Sequence, residues 1–221
     1  MDRWSITAWL CMVLCAFVFI TYEGEERRSA ESLQQEIAGE IIRFHVRANS
    51  DSEEDQTLKL LVKEELVGYM GELLTDVHDK QEARRILEDN IENMENVAKG
   101  VIREQKKEYN VEAYFENSYF PIKTYADMTF PAGIYEAFRV DIGAAEGKNW
   151  WCVVYPKLCF VDVSYGVMPK EAKDELEAVL DEDELELLYE NSVGDYHGSS
   201  EDKTDYVYEF KIFRFLNKFL K

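Results

Sequence analysis

The sequence is poor in positive charge, in histidine and in the motifs of common enzymes. It has 25 Lys and Arg residues against 45 Asp and Glu residues, a formal net charge of −20. Such a surface repels phosphate backbones, which argues against a nucleic-acid partner. The three histidines are far apart, and no Gly-x-Ser-x-Gly, Gly-rich phosphate loop or His-Glu-x-x-His motif occurs. We therefore expect a protein that is not an enzyme and that needs no metal and no cofactor.

Long hydrophobic runs are scarce too, with one exception near the N-terminus. Residues 6–22 carry no charge and are mostly large and apolar. These 17 residues are close to the lower limit for a membrane-spanning helix and slightly exceed the usual core of a signal peptide. The acidic residues that follow favour export of the rest of the chain. Residues 1–22 are therefore interpreted as a signal peptide or a transmembrane anchor, and cleavage stays open because no clear small-x-small site follows.

The remainder of the sequence predicts a linker and one domain. Residues 23–40 are rich in charge and predict a linker or a short helix, and residues 41–221 predict a single extracytoplasmic domain. Apolar positions that recur every three or four residues predict a helix after Ser52, a long helix at residues 80–108 and another helix after Pro169. Strand-like patterns lie between them. The predicted fold class is α+β, with a largely antiparallel or mixed β-sheet covered by helices.

Alternating apolar and polar residues mark the predicted strands. Residues 41–48 predict a half-buried strand, with His45 on its polar face and not in a metal site. Residues 134–142 alternate in the same way, and residues 150–155 are nearly all apolar. Because a short segment flanked by glycine joins these two stretches, they predict an antiparallel hairpin. A further strand is predicted at residues 206–212.

A polar cluster follows the first predicted strand. It comprises Asn49, Ser50, Asp51 and Asp55. Ser50 with Glu53, or Ser52 with Asp55, has the spacing of a capping box, which satisfies free N–H groups at the start of a helix. The cluster also begins like a calcium-binding loop, but the glycine and the closing glutamate of that loop are missing. An alternative stays open, in which Asp51 and Asp55 are the acid–base carboxylates of an exported hydrolase and meet His45 in a cleft.

The second distinctive stretch, residues 147–163, contains two of the four tryptophans and two of the four cysteines. Lys148, Asn149 and Trp150 lie at its predicted loop-to-strand junction, where a contact with a partner is expected. Cys152 and Cys159 flank a proline. If the chain turns there, their Cα atoms approach the range of about 4.4–6.8 Å that a disulfide requires. Two buried free thiols are the alternative.

These two stretches resemble the stage II sporulation protein R family of endospore-forming bacteria. The first reads H-V-x-A-N-S-D-x-x-x-D-Q-x-x-K from His45 to Lys59, and the second reads G-x-N-W-W-C-V-x-x-P-x-L-C-F from Gly147 to Phe160. The resemblance covers residues 41–163. It implies a signalling protein that is made in the forespore and exported into the space between the two membranes. There it would activate a mother-cell membrane aspartic protease, which processes the sigma-E precursor.

The resemblance implies no catalytic residues, because none is established for the family. It implies that the extracytoplasmic part of the protease is the partner, with membrane contact through the N-terminal segment if that segment is retained. We expect the contact surface to combine the turn at residues 49–55 with the junction at residues 148–150.

Overall fold

The computed structural model describes residues 12–14, 31–160 and 168–190. Most of the predicted export segment, residues 1–22, and the predicted strand at residues 206–212 lie outside these ranges. Residues 12–14 are helical and exposed. Among the described residues, no helix combines the length and the apolar character that crossing a bilayer requires.

The described elements follow one another as one helix, one strand, three helices, five strands and two helices. The helices are α1 (residues 31–40), α2 (Glu53–Leu73), α3 (Lys80–Asp89), α4 (Ile91–Glu104), α5 (Lys170–Glu177) and α6 (Glu182–Glu190). The strands are β1 (Ile42–Arg47), β2 (Val111–Phe120), β3 (Lys123–Tyr125), β4 (Met128–Phe130), β5 (Gly133–Ile142) and β6 (Asn149–Tyr155). A 3-10 turn, Leu158–Phe160, follows β6.

A mixed four-stranded sheet in the order β2-β5-β1-β6 is the centre of the fold, and β3 and β4 form a separate pair. β1 is parallel to β5 and antiparallel to β6. The predicted hairpin of residues 134–142 and 150–155 is therefore wrong, because β1 lies between the two strands. The α+β class and the mixed sheet are confirmed.

One face of the sheet is covered by the helices α2, α3 and α4. Its core contains Phe44 and Val46 of β1 together with Phe138 and Val140 of β5. The helix α2 starts as predicted, since the side chain of Ser52 accepts a hydrogen bond from the main-chain N–H of Asp55 at 3.2 Å. The apolar faces of the helices and of the strands therefore build a common layer.

The other face of the sheet is covered, over part of its length, by α1, the β3–β4 pair, α5 and α6. Phe120, Tyr135 and Val153 lie there in a second core, with apolar residues of α1, of the β3–β4 pair, of α5 and of α6. Ile37 of α1 is fully buried in this core, so the packed domain includes α1, which falls within the predicted linker. This second layer also buries the polar face of β1. The prediction of a half-buried β1 is wrong for this reason, and His45 is only 2% exposed.

The long helix predicted at residues 80–108 is two helices. It breaks at Asn90, whose side-chain amide donates to the carbonyl of Ile86 at 2.8 Å. A short amide side chain that bonds to the backbone in this way competes with helical hydrogen bonds. The apolar stripe continues across the break and gives no sign of it in the sequence.

Candidate functional site

The two motif stretches meet at one end of the sheet, where β1 and β5 both end. Asp51 accepts a hydrogen bond from the main-chain N–H of Lys148, with 2.7 Å between Oδ1 and N. The side-chain oxygen of Asn49 accepts from the N–H of Ala144 at 2.9 Å. The structure thus joins the predicted turn and the predicted junction into one surface, which we call the motif surface (residues 49–56 and 143–150).

Asp55 is a buried acceptor at the base of the motif surface, with 4% of its area exposed. Its Oδ2 accepts from Asn49 Nδ2 at 2.8 Å and from Ser50 Oγ at 2.6 Å. Burial alone would raise the pKa of this carboxyl, but the hydrogen bonds from Asn49, Ser50 and Tyr109 outweigh burial and lower it. Asp55 is therefore an ionised anchor of the turn.

Gln56 and Lys59 complete the connection between the turn and the loop before β6. The sequence analysis did not predict these roles. The side-chain amide of Gln56 donates to the carbonyl of Ser50 at 2.9 Å. Lys59 Nζ donates to Gln56 Oε1 at 2.6 Å and to the carbonyl of Lys148 at 3.1 Å. Both residues belong to the first motif, which was the available signal, and their side chains join α2 to the loop before β6.

Gly147 permits the close approach of the two segments. Its N–H donates to the carbonyl of Ala48 at 2.9 Å. A Cβ atom at this position would collide with the carbonyl of Ser50. Any larger residue would therefore push the loop away from the turn.

The junction residues differ in how much of each is free to contact a partner. The side chain of Lys148 is exposed, and Asn149 is half-buried. Trp150 packs edge-on against Phe44, with ring centroids 5.7 Å apart, and Lys63 Nζ lies 5.3 Å above its ring. Trp150 is therefore partly core, and Lys148 presents the freest side chain of the three.

The hydrolase alternative requires Asp51, Asp55 and His45 to meet, and they do not. Asp51 and Asp55 lie at the start of α2, which covers the opposite face of the sheet from the His45 side chain. His45 stacks on Trp151 at 4.9 Å and contacts Phe120 edge-on at 5.4 Å. In the described part of the chain, no group of three His, Cys, Asp or Glu residues is placed to hold a metal ion.

A network of half-buried charged residues lies beside His45. Its Nε2 lies 3.4 Å from Glu116 Oε1, and Arg139 contacts Glu116 at 3.1 Å and Asp141 at 2.8 Å. Burial, together with the positive charge of Arg139, lowers the pKa of His45 to about 4 against the opposing effects of Glu116 and Asp141. His45 is therefore neutral at neutral pH. Tyr114 donates to Asp141 at 3.1 Å, and burial raises the pKa of Tyr114 to about 12.

Arg43 is fully buried, and no carboxylate among the described residues pairs with it. Its guanidinium carbon lies 4.6, 5.7, 5.3 and 5.2 Å from the ring centroids of Phe120, Tyr125, Phe130 and Tyr135. Nη2 donates to the Tyr125 hydroxyl at 3.3 Å, whereas Nε and Nη1 find no hydrogen-bond partner in the part of the chain that the structure describes. Contact with the faces of four rings replaces the missing anion in part.

Cys152 and Cys159 are free thiols in the structure and lie beside one another. Both Sγ atoms point at the carbonyl of Val153, at 3.7 Å for Cys152 and 2.9 Å for Cys159. Burial, together with a hydrogen bond to Cys152, raises the pKa of the Cys159 thiol well above its usual range. The disulfide between them stays a prediction.

Comparisons with known proteins match the part of the chain that contains the motif surface. The family model described as stage II sporulation protein R matches residues 38–165, which include the whole motif surface. Stage II sporulation protein R of Bacillus subtilis (strain 168) is 31% identical over 171 residues, which cover 74% of this chain and 76% of that protein. No solved structure matches the chain. The chain belongs to the stage II sporulation protein R family.

Proposed function

We propose that this protein is an exported signal that binds the extracytoplasmic part of a mother-cell membrane aspartic protease and triggers processing of the sigma-E precursor. Family membership gives the protein a role in sporulation. The direction of signalling, from the forespore into the space between the two membranes, follows from the resemblance and from the predicted export segment at residues 1–22.

The observation that carries this proposal is the motif surface itself. The two stretches that most resemble the family are far apart in sequence, yet they are joined by the Asp51–Lys148 hydrogen bond and by the pairing of β1 with β6. A surface that is assembled from both stretches is a natural place for a contact that the whole family shares.

The arrangement favours binding over chemistry. Asp51 and Asp55 are both engaged as hydrogen-bond acceptors of neighbouring segments, and the ring of His45 lies on the other face of the sheet. An acid–base pair needs to reach a substrate and to exchange protons with it. No observation favours the hydrolase alternative.

The proposal is tested by producing this protein, the protease and the sigma-E precursor together in cells that are not sporulating. Processing of the precursor should require all three proteins. A form without residues 1–22 should stay in the producing cell and should not activate a protease that faces outward. Equal processing with and without this protein would refute the proposal.

A further inference from the structure

We infer that the end of the sheet opposite the motif surface rests on the membrane from which the protein emerges. The membrane-facing patch consists of Tyr119, Ile122 and Ile134, and its occupant is the lipid bilayer. This inference rests on the proposed export and adds an orientation to it. The motif surface would then point away from that membrane, towards the protease.

The patch stands out because large apolar side chains are seldom exposed in this domain. Tyr119, Ile122 and Ile134 are 60%, 63% and 56% exposed. Tyr119 and Ile134 are direct cross-strand partners, so their side chains are neighbours on one face. Ile122 follows three residues after Tyr119, within about 10 Å. Tyr119 and Ile134 thus form an exposed apolar pair with an exposed isoleucine close by in the chain, a composition that suits the interface of a bilayer.

The charge around the patch is unusual for this protein. The chain carries 45 acidic residues, yet residues 117–125 and 128–135 contain none. An acidic surface would be repelled by anionic lipid head groups, whereas these two segments contain apolar and neutral side chains and a single lysine, Lys123. The end of the sheet that they form is therefore the part of the domain best suited to approach a membrane.

The course of α1 leads the chain to the same end. Near the end of α1, the carbonyl of Gly39 accepts from Lys80 Nζ at 2.7 Å, and Lys80 also contacts Glu136 at 3.3 Å. Earlier in α1, Gln34 Nε2 donates to the carbonyl of Ile134 at 3.5 Å. Followed towards the N-terminus, α1 thus passes from the level of Glu136 to the level of Ile134, the direction in which the patch lies.

The tether between α1 and the apolar run is short. Residues 23–30 span at most about 29 Å even when fully extended. A retained anchor therefore holds the start of α1, and the patch beside it, near the bilayer. The motif surface begins where β5 ends, and residues 134–142 of that strand span about 26 Å. The orientation thus brings the motif surface some distance into the space between the membranes.

The test uses the full-length chain in vesicles of phosphatidylethanolamine and phosphatidylglycerol, with the photoreactive residue p-benzoylphenylalanine at a single position. It replaces Ile122, Ile134 or, as the matched control, Leu60. Leu60 is also an exposed apolar residue, at 47%, but lies on α2 near the motif surface. All three positions are exposed, and circular dichroism verifies that each variant folds.

We expect several-fold more lipid adduct at positions 122 and 134 than at position 60. Equal lipid adducts at all three positions, or none at 122 and 134, would overturn the inference. Adducts at 122 and 134 with the chain's own residues 6–22, or with a second copy of the protein, would also overturn it, because another occupant would cover the patch. The vesicles contain no protease, so this result is independent of whether the protein activates one.

Discussion

The side chain of Asp51 accepts the main-chain N–H of Lys148 at 2.7 Å and thereby fixes the loop before β6 to the turn before α2. This contact uses the backbone of Lys148 and leaves its side chain exposed. The backbone of Lys148 is thus fixed at the centre of the motif surface, and its charged side chain is exposed to solvent. The same surface contains both structural anchors and a group that a partner can reach.

Among the residues that anchor the motif surface, Asp55 is the one whose replacement should lower the stability of the domain most. In Asp55→Asn the buried carboxylate that accepts from Asn49 and Ser50 is replaced by an amide, and we expect the free energy of unfolding to fall by about 1.5–3 kcal/mol. The pKa of Asp55 is lowered below its ordinary value of 3.8, so its stabilising contribution is complete above that pH and is lost as the pH falls through the folded-state pKa.

Urea unfolding of wild type and Asp55→Asn at several pH values measures both effects. The difference in the free energy of unfolding between the two proteins should become smaller in acid. Asp51→Asn, at an exposed acceptor, serves as the milder comparison. An Asp55→Asn variant as stable as wild type at pH 7 would show that the turn does not depend on this charge.

His45 should destabilise the domain in weak acid. Its pKa is lowered from 6.5 to about 4, so the unfolded chain binds a proton between these pH values and the folded domain does not. Stability is therefore full above pH 6.5 and falls as the pH drops towards 4, by roughly 3 kcal/mol in total. Glu116, Arg139 and Asp141 are the charged groups that face His45 among the described residues.

His45→Phe keeps the ring that stacks on Trp151 but cannot bind a proton. Thermal unfolding between pH 4 and 7 should show a smaller loss of stability for this variant than for wild type. Parallel curves for the two proteins would contradict the assignment.

Arg43 should be replaceable by methionine at little cost. Methionine is an unbranched, flexible and apolar side chain that fills part of the space of arginine, and it removes a buried charge whose Nε and Nη1 have no partner among the described residues. The loss of contacts with the aromatic rings opposes this gain, so we expect a net change below about 1 kcal/mol. Arg43→Ala leaves a cavity and should cost about 3–5 kcal/mol by chemical denaturation. If Arg43→Met lowers the free energy of unfolding as much as Arg43→Ala does, the cation itself stabilises the core.

The cysteine pair should be oxidised in the exported protein. Cys152 and Cys159 are neighbours in the structure, and closing the short loop between them would add about 2–3 kcal/mol to stability. Alkylation of the exported protein after unfolding without reductant should label neither thiol. Labelling of both would show that they remain free.

Local features of the fold were predictable from the sequence, and long-range ones were not. The cap at Ser52 follows from a few neighbouring residues, and the structure confirms it. The insertion of β1 between β5 and β6 depends on parallel pairing of distant segments, for which no local pattern exists. His45 looked exposed because alternation shows which face a residue is on but not what covers that face.

The proximity of the two motif stretches was predictable from the sequence, and the burial of their side chains was not. The sequence placed the turn and the junction in one contact surface, and the structure brings them together. Trp150 was expected to contact a partner, whereas its packing on Phe44 makes it partly core. Burial of a side chain on an edge strand is set by the layer beneath it, which the local sequence does not reveal.

The most direct test of the account compares two charge reversals in the processing assay. Lys148→Glu changes the motif surface, and Lys170→Glu makes the same change on α5, which packs on the opposite face of the sheet; both lysines are exposed. The free energy of unfolding of both variants should lie within about 0.5 kcal/mol of the wild-type value. We predict that Lys148→Glu lowers processing of the sigma-E precursor several-fold and that Lys170→Glu leaves it unchanged. Wild-type processing by Lys148→Glu, or an equal loss in both variants, would contradict the account.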